Sequence, residues 1–208
     1  MSYVTLIMTR VPLVEIKYGS KSGRWGRMIM VVGPKVNAVQ IGGDRGSVNQ
    51  SPNSAPINFG HASYLMQTDG KPIESMTEFD TLERFRHESN GFYMQTRPQP
   101  AQPYRLTMFD SNTIKDFKKD HYKGANINGH CLKVHGHGYV KKGTQNEAGI
   151  LVHEAPHPGW LTGCIAPRLP NNRGSNALDA SHAAMDMIFR AMGGFSKGKE
   201  AGLIVLDW

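Results

Sequence analysis

The sequence predicts a mainly β fold, a β-sandwich or barrel with inserted helices and one helix packed before the last strand, an α+β arrangement. Three observations predict it. Short apolar or alternating runs bounded by Gly, Ser, Asn and Pro recur from end to end. Helical periods are few, and the clearest lies in one long segment near the C-terminus. The chain has 208 residues, 39% of them hydrophobic. That is enough for one sizeable core, and neither an internal repeat nor an interdomain linker is visible, so residues 1–208 are read as one domain.

In chain order, "YVTLIM", "MIMVV" and "NAVQI" read as strands of hairpins or a meander. "GGDRGSVNQSPNSAPINFG", residues 42–60, reads as a long loop inserted between strands, of the length usually found at functional sites. "SYLMQ" is the next strand. "MTEFDTLERFRHESNG", residues 76–91, reads as a helix: Thr77 caps it, Phe79, Leu82 and Phe85 recur at three-residue steps, and Asn90-Gly91 ends it. "TRPQPAQP", residues 96–103, is a proline-rich insertion, and "YRLTMF" a strand. "SNTIKDFKKDHYKG", residues 111–124, reads as a basic helix capped by Asn112 and stopped by Gly124. "HCLKVHGHGYV" and "AGILVH" are strands, and "RLPNNRGS" is a loop. In "NALDASHAAMDMIFRAMGG", Leu178, His182, Met185, Phe189 and Met192 follow one helical face, which makes His182 a core residue; Ser175 caps this helix and Gly193-Gly194 stops it. "GLIVLDW" is the last strand.

Charge narrows the partners. Formal net charge is +7, which favours polyanions: nucleic acid, anionic lipid or the anionic polymers of a cell envelope. Lys115, Lys118, Lys119, Lys123, Lys133, Lys141 and Lys142 crowd one stretch, most simply a solvated face. No nucleic-acid motif accompanies them, so no nucleic-acid partner is expected. "IGGDRGS" lacks the Gly-Lys-Ser/Thr of a phosphate loop. The N-terminal run has no basic segment before it and no small-residue cleavage site after it, so no signal or transit peptide is read. No run approaches the ~20 apolar residues of a membrane span. Synthesis in the cytoplasm is expected, with export by a route needing no cleavable signal left open. Two cysteines make no disulfide framework.

The chemistry concentrates in "GILVHEAPHPGWLTGCIAPR", residues 149–168. Cys164 stands eleven residues after His153, across a loop stiffened by Pro156 and Pro158. A cysteine attacks as thiolate, and its free pKa of about 8.5 leaves little thiolate at neutral pH. A histidine within hydrogen-bond reach takes the proton, and a third group holds its ring. Gly163 lets the backbone turn tightly, and the amides around Gly163 and Cys164 can form an oxyanion hole. The same spacing also suits a buried structural cysteine near an unrelated histidine. His157 reads as a pocket residue, a second base or an exposed loop histidine. Trp160 reads as a sugar-stacking or site-sealing residue, or as packing for the loop. His130, Cys131, His135 and His137 raise zinc, but no certain fourth ligand accompanies them and no metal or other cofactor is assigned. A functional use for His137 is lining the Cys164 pocket or orienting His153.

"ILVH", followed after a short loop by "TGCI", resembles the L,D-transpeptidase (YkuD-like) superfamily, in which a strand histidine precedes a Ser/Thr-x-Gly-Cys or Ser-Gly-Cys segment. The short gap is similar to a compact branch, the DUF5675-like and DUF2778-like effector families. The matching core covers roughly residues 100–208 and the specific motif residues 149–165. The resemblance implies an L,D-transpeptidase-like β-sandwich or barrel. It implies Cys164 as nucleophile, His153 as base and the backbone carbonyl of Glu154 as the third member. Thr162 replaces the family's histidine before Gly-Cys, and its arginine is displaced to Arg168, behind Ile165, Ala166 and Pro167. Thr162, His157, Trp160, Arg168 and His137 are then the substrate-binding candidates. The substrate class implied is the stem peptides of peptidoglycan, reached outside the producing cell by a secreted antibacterial effector or a phage-borne protein, with an immunity protein or a secretion-machine component as partner. The alternatives are a non-catalytic binding or structural module of the same fold, and a cysteine amidase acting on another substrate.

Overall fold

Apolar residues two apart along most of the chain make strands that must bury a face. In the computed structural model, residues 2–41, 54–58, 63–84, 102–111, 129–136, 150–161, 163–172 and 178–206 are described. The strands are β1 (Tyr3–Tyr18), β2 (Lys21–Gly33), β3 (Asn37–Ile41), β4 (Ser54–Asn58), β5 (Ser63–Gln67), β6 (Ser75–Arg84), β7 (Tyr104–Asp110), β8 (His130–His135), β9 (Leu151–Val152), β10 (Ile165–Arg168) and β11 (Glu200–Leu206). A 3-10 turn spans Pro158–Trp160, and the helix α1 spans Leu178–Ala191, just before β11. Eight strands close a barrel in the order β1-β11-β7-β8-β9-β10-β6-β2, and β3, β5 and β4 form a separate three-stranded sheet. The fold is mainly β, as the sequence predicts. Two neighbour pairs, β1 with β11 and β9 with β10, run parallel.

The alternation of side chains sorts the core into three clusters. The barrel interior holds Leu6, Met8, Met28, Phe79, Leu106, Leu132, Val152, Ile165 and Leu203, and the buried face of α1 (Ala184, Met185, Ile188, Phe189, Met192) joins it. On the outer face of β1, β2 and β11, Ile7, Ile29, Val31 and Ile204 pack with Met66 of β5. On the outer face of β2, β6 and β10, Trp25, Leu82, Cys164 and Ala166 pack with Ala155 and Leu161 from the loop between β9 and β10. Fully burying such a side chain contributes about 1.5–3 kcal/mol.

Several expectations need correction. The segment expected as a helix over 76–91 is strand through Arg84. Its three-residue apolar step arises because β6 is covered on both faces: Phe79 points into the barrel and Leu82 into the outer cluster. The expected loop over 42–60 contains strand β4, and β10, which carries Pro167, is a strand the sequence did not announce. His182 is not a core residue. Its side chain is 61% exposed, and Ser181, fully buried, takes its place on the inner face of α1. The basic segment at 112–124, Ser175 and six of the seven clustered lysines, all but Lys133, lie outside the described residues.

Candidate functional site

β9 and β10 bring the two halves of the motif together. They are parallel neighbours with Val152 opposite Ile165, and the His153 amide donates to the Ile165 carbonyl at 3.0 Å. His153 follows Val152, and Cys164 precedes Ile165. Val152 and Ile165 point into the barrel. Alternation therefore turns His153 and Cys164 to the opposite, outer face of the strand pair, one diagonal step apart. Parallel strands need a crossover. The crossover here, residues 154–163, folds back on that outer face and buries Ala155 and Leu161 against Trp25 and Leu82.

The His153 ring is held by its own neighbour. His153 Nδ1 lies 2.8 Å from the carbonyl oxygen of Glu154, and both residues are buried. A carbonyl oxygen only accepts, so Nδ1 carries the hydrogen and the neutral ring keeps its lone pair on Nε2. The Glu154 carboxylate in turn accepts from His182 Nδ1 at 2.7 Å. The Ala155 amide donates to Ser181 Oγ at 3.1 Å, and Ser181 Oγ donates to the Pro167 carbonyl at 2.7 Å. Ser181 escaped the sequence reading, which takes His182 only as a core residue; the signal for both is a polar pair within the small-residue run "DASHAA" of a helix that faces the core.

The nucleophile candidate sits at a turn. Gly163 has φ +83°, the left-handed region that side-chain-bearing residues avoid. Cys164 is 8% exposed, against 0% for Cys131. Arg168, a substrate-binding candidate on the sequence, is fully buried. Its guanidinium donates to the carbonyls of Ala155, at 3.0 Å, and of Pro156, and stands 5.0 Å from the Trp25 ring centroid. Burial lowers its pKa to about 10, with Asp80 acting in the opposite sense. His157 caps the Pro158–Trp160 turn, its Nδ1 accepting from the Gly159 amide at 3.1 Å, and its ring meets Trp160 edge-on. Trp160 packs against the same outer cluster as Cys164. Thr162 and His137 lie outside the described residues.

A buried ion triad supports the strand next to Cys164. Glu83 is the ladder partner of Ile165 and of Arg24. It accepts from Arg10 at 2.8 and 3.1 Å and from Arg24 at 3.3 Å. Burial pushes the Glu83 carboxyl up, and the two guanidiniums outweigh that effect and hold it below its ordinary value. Of the sequence's zinc candidates, His130, Cys131 and His135 are described and His137 is not. His130 stacks on Phe195 with ring centroids 3.5 Å apart, and His135, at the far end of β8, bonds Thr107 Oγ1 through Nε2 at 2.8 Å. No group of three or more His, Cys, Asp or Glu that could hold a metal occurs among the described residues. No helix among them is long and apolar enough to cross a membrane.

Comparison of the chain with protein-family models, curated proteins and solved structures finds no match.

Proposed function

We propose that the protein is a cysteine acyltransferase or hydrolase of the L,D-transpeptidase type acting on peptidoglycan stem peptides. The observation that carries this reading is His153, its Nδ1 held by the Glu154 carbonyl on the face that Cys164 shares. In the proposed reaction His153 Nε2 takes the Cys164 thiol proton, and the sulfur attacks the amide carbonyl between an L- and a D-centre. The amides around Gly163 and Cys164 stabilise the oxyanion. The proton returns from Nε2 to the leaving amine, giving an acyl-enzyme. That acyl group then passes to an amine, as crosslinking or D-amino-acid exchange, or to water, as L,D-carboxypeptidase action. Trp160 and His157 form the wall of the site on the loop side. The net charge of +7 suits an anionic wall.

Mass spectrometry of muropeptides incubated with the protein tests the reading. Loss or exchange of the terminal D-residue, abolished by Cys164→Ala, is the expected result; unchanged muropeptides with folded protein would sink it. Delivery as an antibacterial effector predicts that expression in the cytoplasm is harmless, whereas fusion to a periplasmic signal lyses cells in a Cys164-dependent way. Equal toxicity from both compartments points to a cysteine amidase with a cytoplasmic substrate. One observation favours a second reading, a non-catalytic module of the same fold: Cys164 lies in an apolar cluster with little exposure. Binding to isolated sacculi without turnover, equal for the protein and Cys164→Ala, is the result that reading expects.

A further inference from the structure

We propose that helix α1 is a positioning element for the base, with Ser181 setting the tautomer of His153 through the backbone and His182 bracing the same segment from the surface. The inference rests on the Cys164–His153 pairing proposed above. Its argument is one of peptide geometry. The carbonyl of Glu154 and the amide of Ala155 belong to one planar peptide unit, so neither turns without the other. The carbonyl end accepts from His153 Nδ1 at 2.8 Å, and the amide end donates to Ser181 Oγ at 3.1 Å.

Ser181 has a single hydroxyl hydrogen, and it is committed. Oγ donates to the Pro167 carbonyl at 2.7 Å, which leaves lone pairs, and no hydrogen, facing the Ala155 amide. The direction of every bond is therefore set. His153 donates to Glu154 O, Ala155 N–H donates to Ser181, and Ser181 donates to Pro167, three residues after Cys164. The chain of bonds runs from the base, through α1, back to the strand that carries the nucleophile. Ser181 and Ala155 are both fully buried, so no water replaces a lost partner cheaply. Outside this chain, His182 Nδ1 donates to the Glu154 carboxylate at 2.7 Å, and the Leu169 amide donates to the Ala180 carbonyl at 3.1 Å, tying α1 to the end of β10. Without Ser181 the 154–155 peptide loses its amide-side anchor, the Glu154 carbonyl is held less firmly against His153, and the hydrogen is less confined to Nδ1. Nε2 then presents a lone pair to the thiol only part of the time.

The test reads the thiol directly. In a Cys131→Ala background, iodoacetamide alkylation of Cys164 is followed across about pH 5 to 9, where the thiolate fraction sets the rate. Ser181→Ala is expected to lower the neutral-pH rate about fourfold and move the midpoint of the profile upward, and Ser181→Thr to restore it. Ile188→Val, on the same buried face of α1, leaves the midpoint in place and controls for loosened packing. His182→Ala is expected to lower the rate about twofold, with His182→Asn, which can supply a donor in the position of Nδ1, restoring it. If Ser181→Ala fails to fold, His182→Ala carries the test, because its side chain is largely exposed. Profiles that superimpose for Ser181→Ala and His182→Ala, while His153→Ala displaces its own, overturn the positioning role alone. A profile unmoved by His153→Ala overturns the Cys164–His153 pairing and this inference with it.

Discussion

The two cysteines sit in similarly dry surroundings and in opposite chemical situations. Cys131 is the second residue of β8, paired with Phe109 in the antiparallel β7–β8 ladder; it is fully buried, and its thiol donates to the carbonyl of Phe109 at 3.3 Å. Cys164 lies just before β10, after a glycine with φ +83°, on the same outer face as a histidine whose ring is already oriented. A thiol inside a ladder is hydrogen-bonded by its own sheet and has no room for a reacting partner. A thiol at a strand start, on a parallel pair whose crossover loop returns over it, lies where the chain turns rather than within a ladder. What separates them is the position in the topology rather than the degree of burial.

Exchanging the two sites is the strongest way to break that comparison. Cys164→Ala is expected to abolish muropeptide turnover, while Cys131→Ala keeps most of it, as read by mass spectrometry of the products. The opposite pattern would show that the reactive thiol is the one in the ladder.

Next in size is the support beneath β10. Glu83→Gln leaves two guanidiniums facing a neutral amide in the barrel and is expected to cost about 3–5 kcal/mol in urea unfolding at neutral pH. The pH dependence has a definite sign. The folded carboxyl is held below its ordinary value of 4.5. Its contribution is therefore complete above that value and is lost as pH falls through the lower folded one. Wild-type stability should fall on acidification through this window, and Glu83→Gln should flatten that part of the curve. A variant curve parallel to wild type would show that the triad does not stabilise the strand next to Cys164.

The glycines before each cysteine sharpen the contrast further. Gly129 has φ +57° and Gly163 φ +83°. Alanine at either is expected to cost about 1–2 kcal/mol of stability for the left-handed backbone. Only Gly163→Ala should also lower turnover, because only its amide neighbours the reacting carbonyl. Equal turnover in the two variants would remove the oxyanion role from the Gly163 turn. The smallest expected effect is on the unsubstituted thiol itself: His153→Ala should slow alkylation of Cys164 at neutral pH about tenfold and leave Cys131 unchanged. Separate peptide mapping of the two cysteines reads both rates in one experiment.

Much of this was legible in the residues, and the failures have physical causes. Strands with one wet face, such as β7 with its buried-exposed alternation at Tyr104, Arg105 and Leu106, announce themselves by their period of two. β6 does not. It is covered by the barrel core on one side and by the outer cluster on the other, so Phe79 and Leu82 are both buried and the spacing imitates a helix. β10 is hidden by Pro167, which argues against a strand locally. The proline is tolerated there because β9 ends at Val152, so β10 runs on beyond that neighbour, paired through Pro167 with Thr81 of β6 alone. His182 fits the helical period of α1, yet it turns outward to Glu154, because a buried imidazole would need a partner and Ser181 supplies the smaller, fully bonded alternative.

The sequence by itself determined the class of the fold, the one helix before the last strand, and the local chemistry of residues 149–168: a histidine at a strand end, a stiff loop, and a glycine before a cysteine. These are short-range properties, set by side-chain alternation, by proline and by glycine. Only the tertiary structure decided that β9 and β10 run parallel, which puts His153 and Cys164 on one face. It also decided that α1 reaches across to the peptide whose carbonyl holds the His153 ring. Both depend on which strands become neighbours when the barrel closes. That choice is made when surface is buried between strands and helix as the barrel closes, and no local pattern of residues records it.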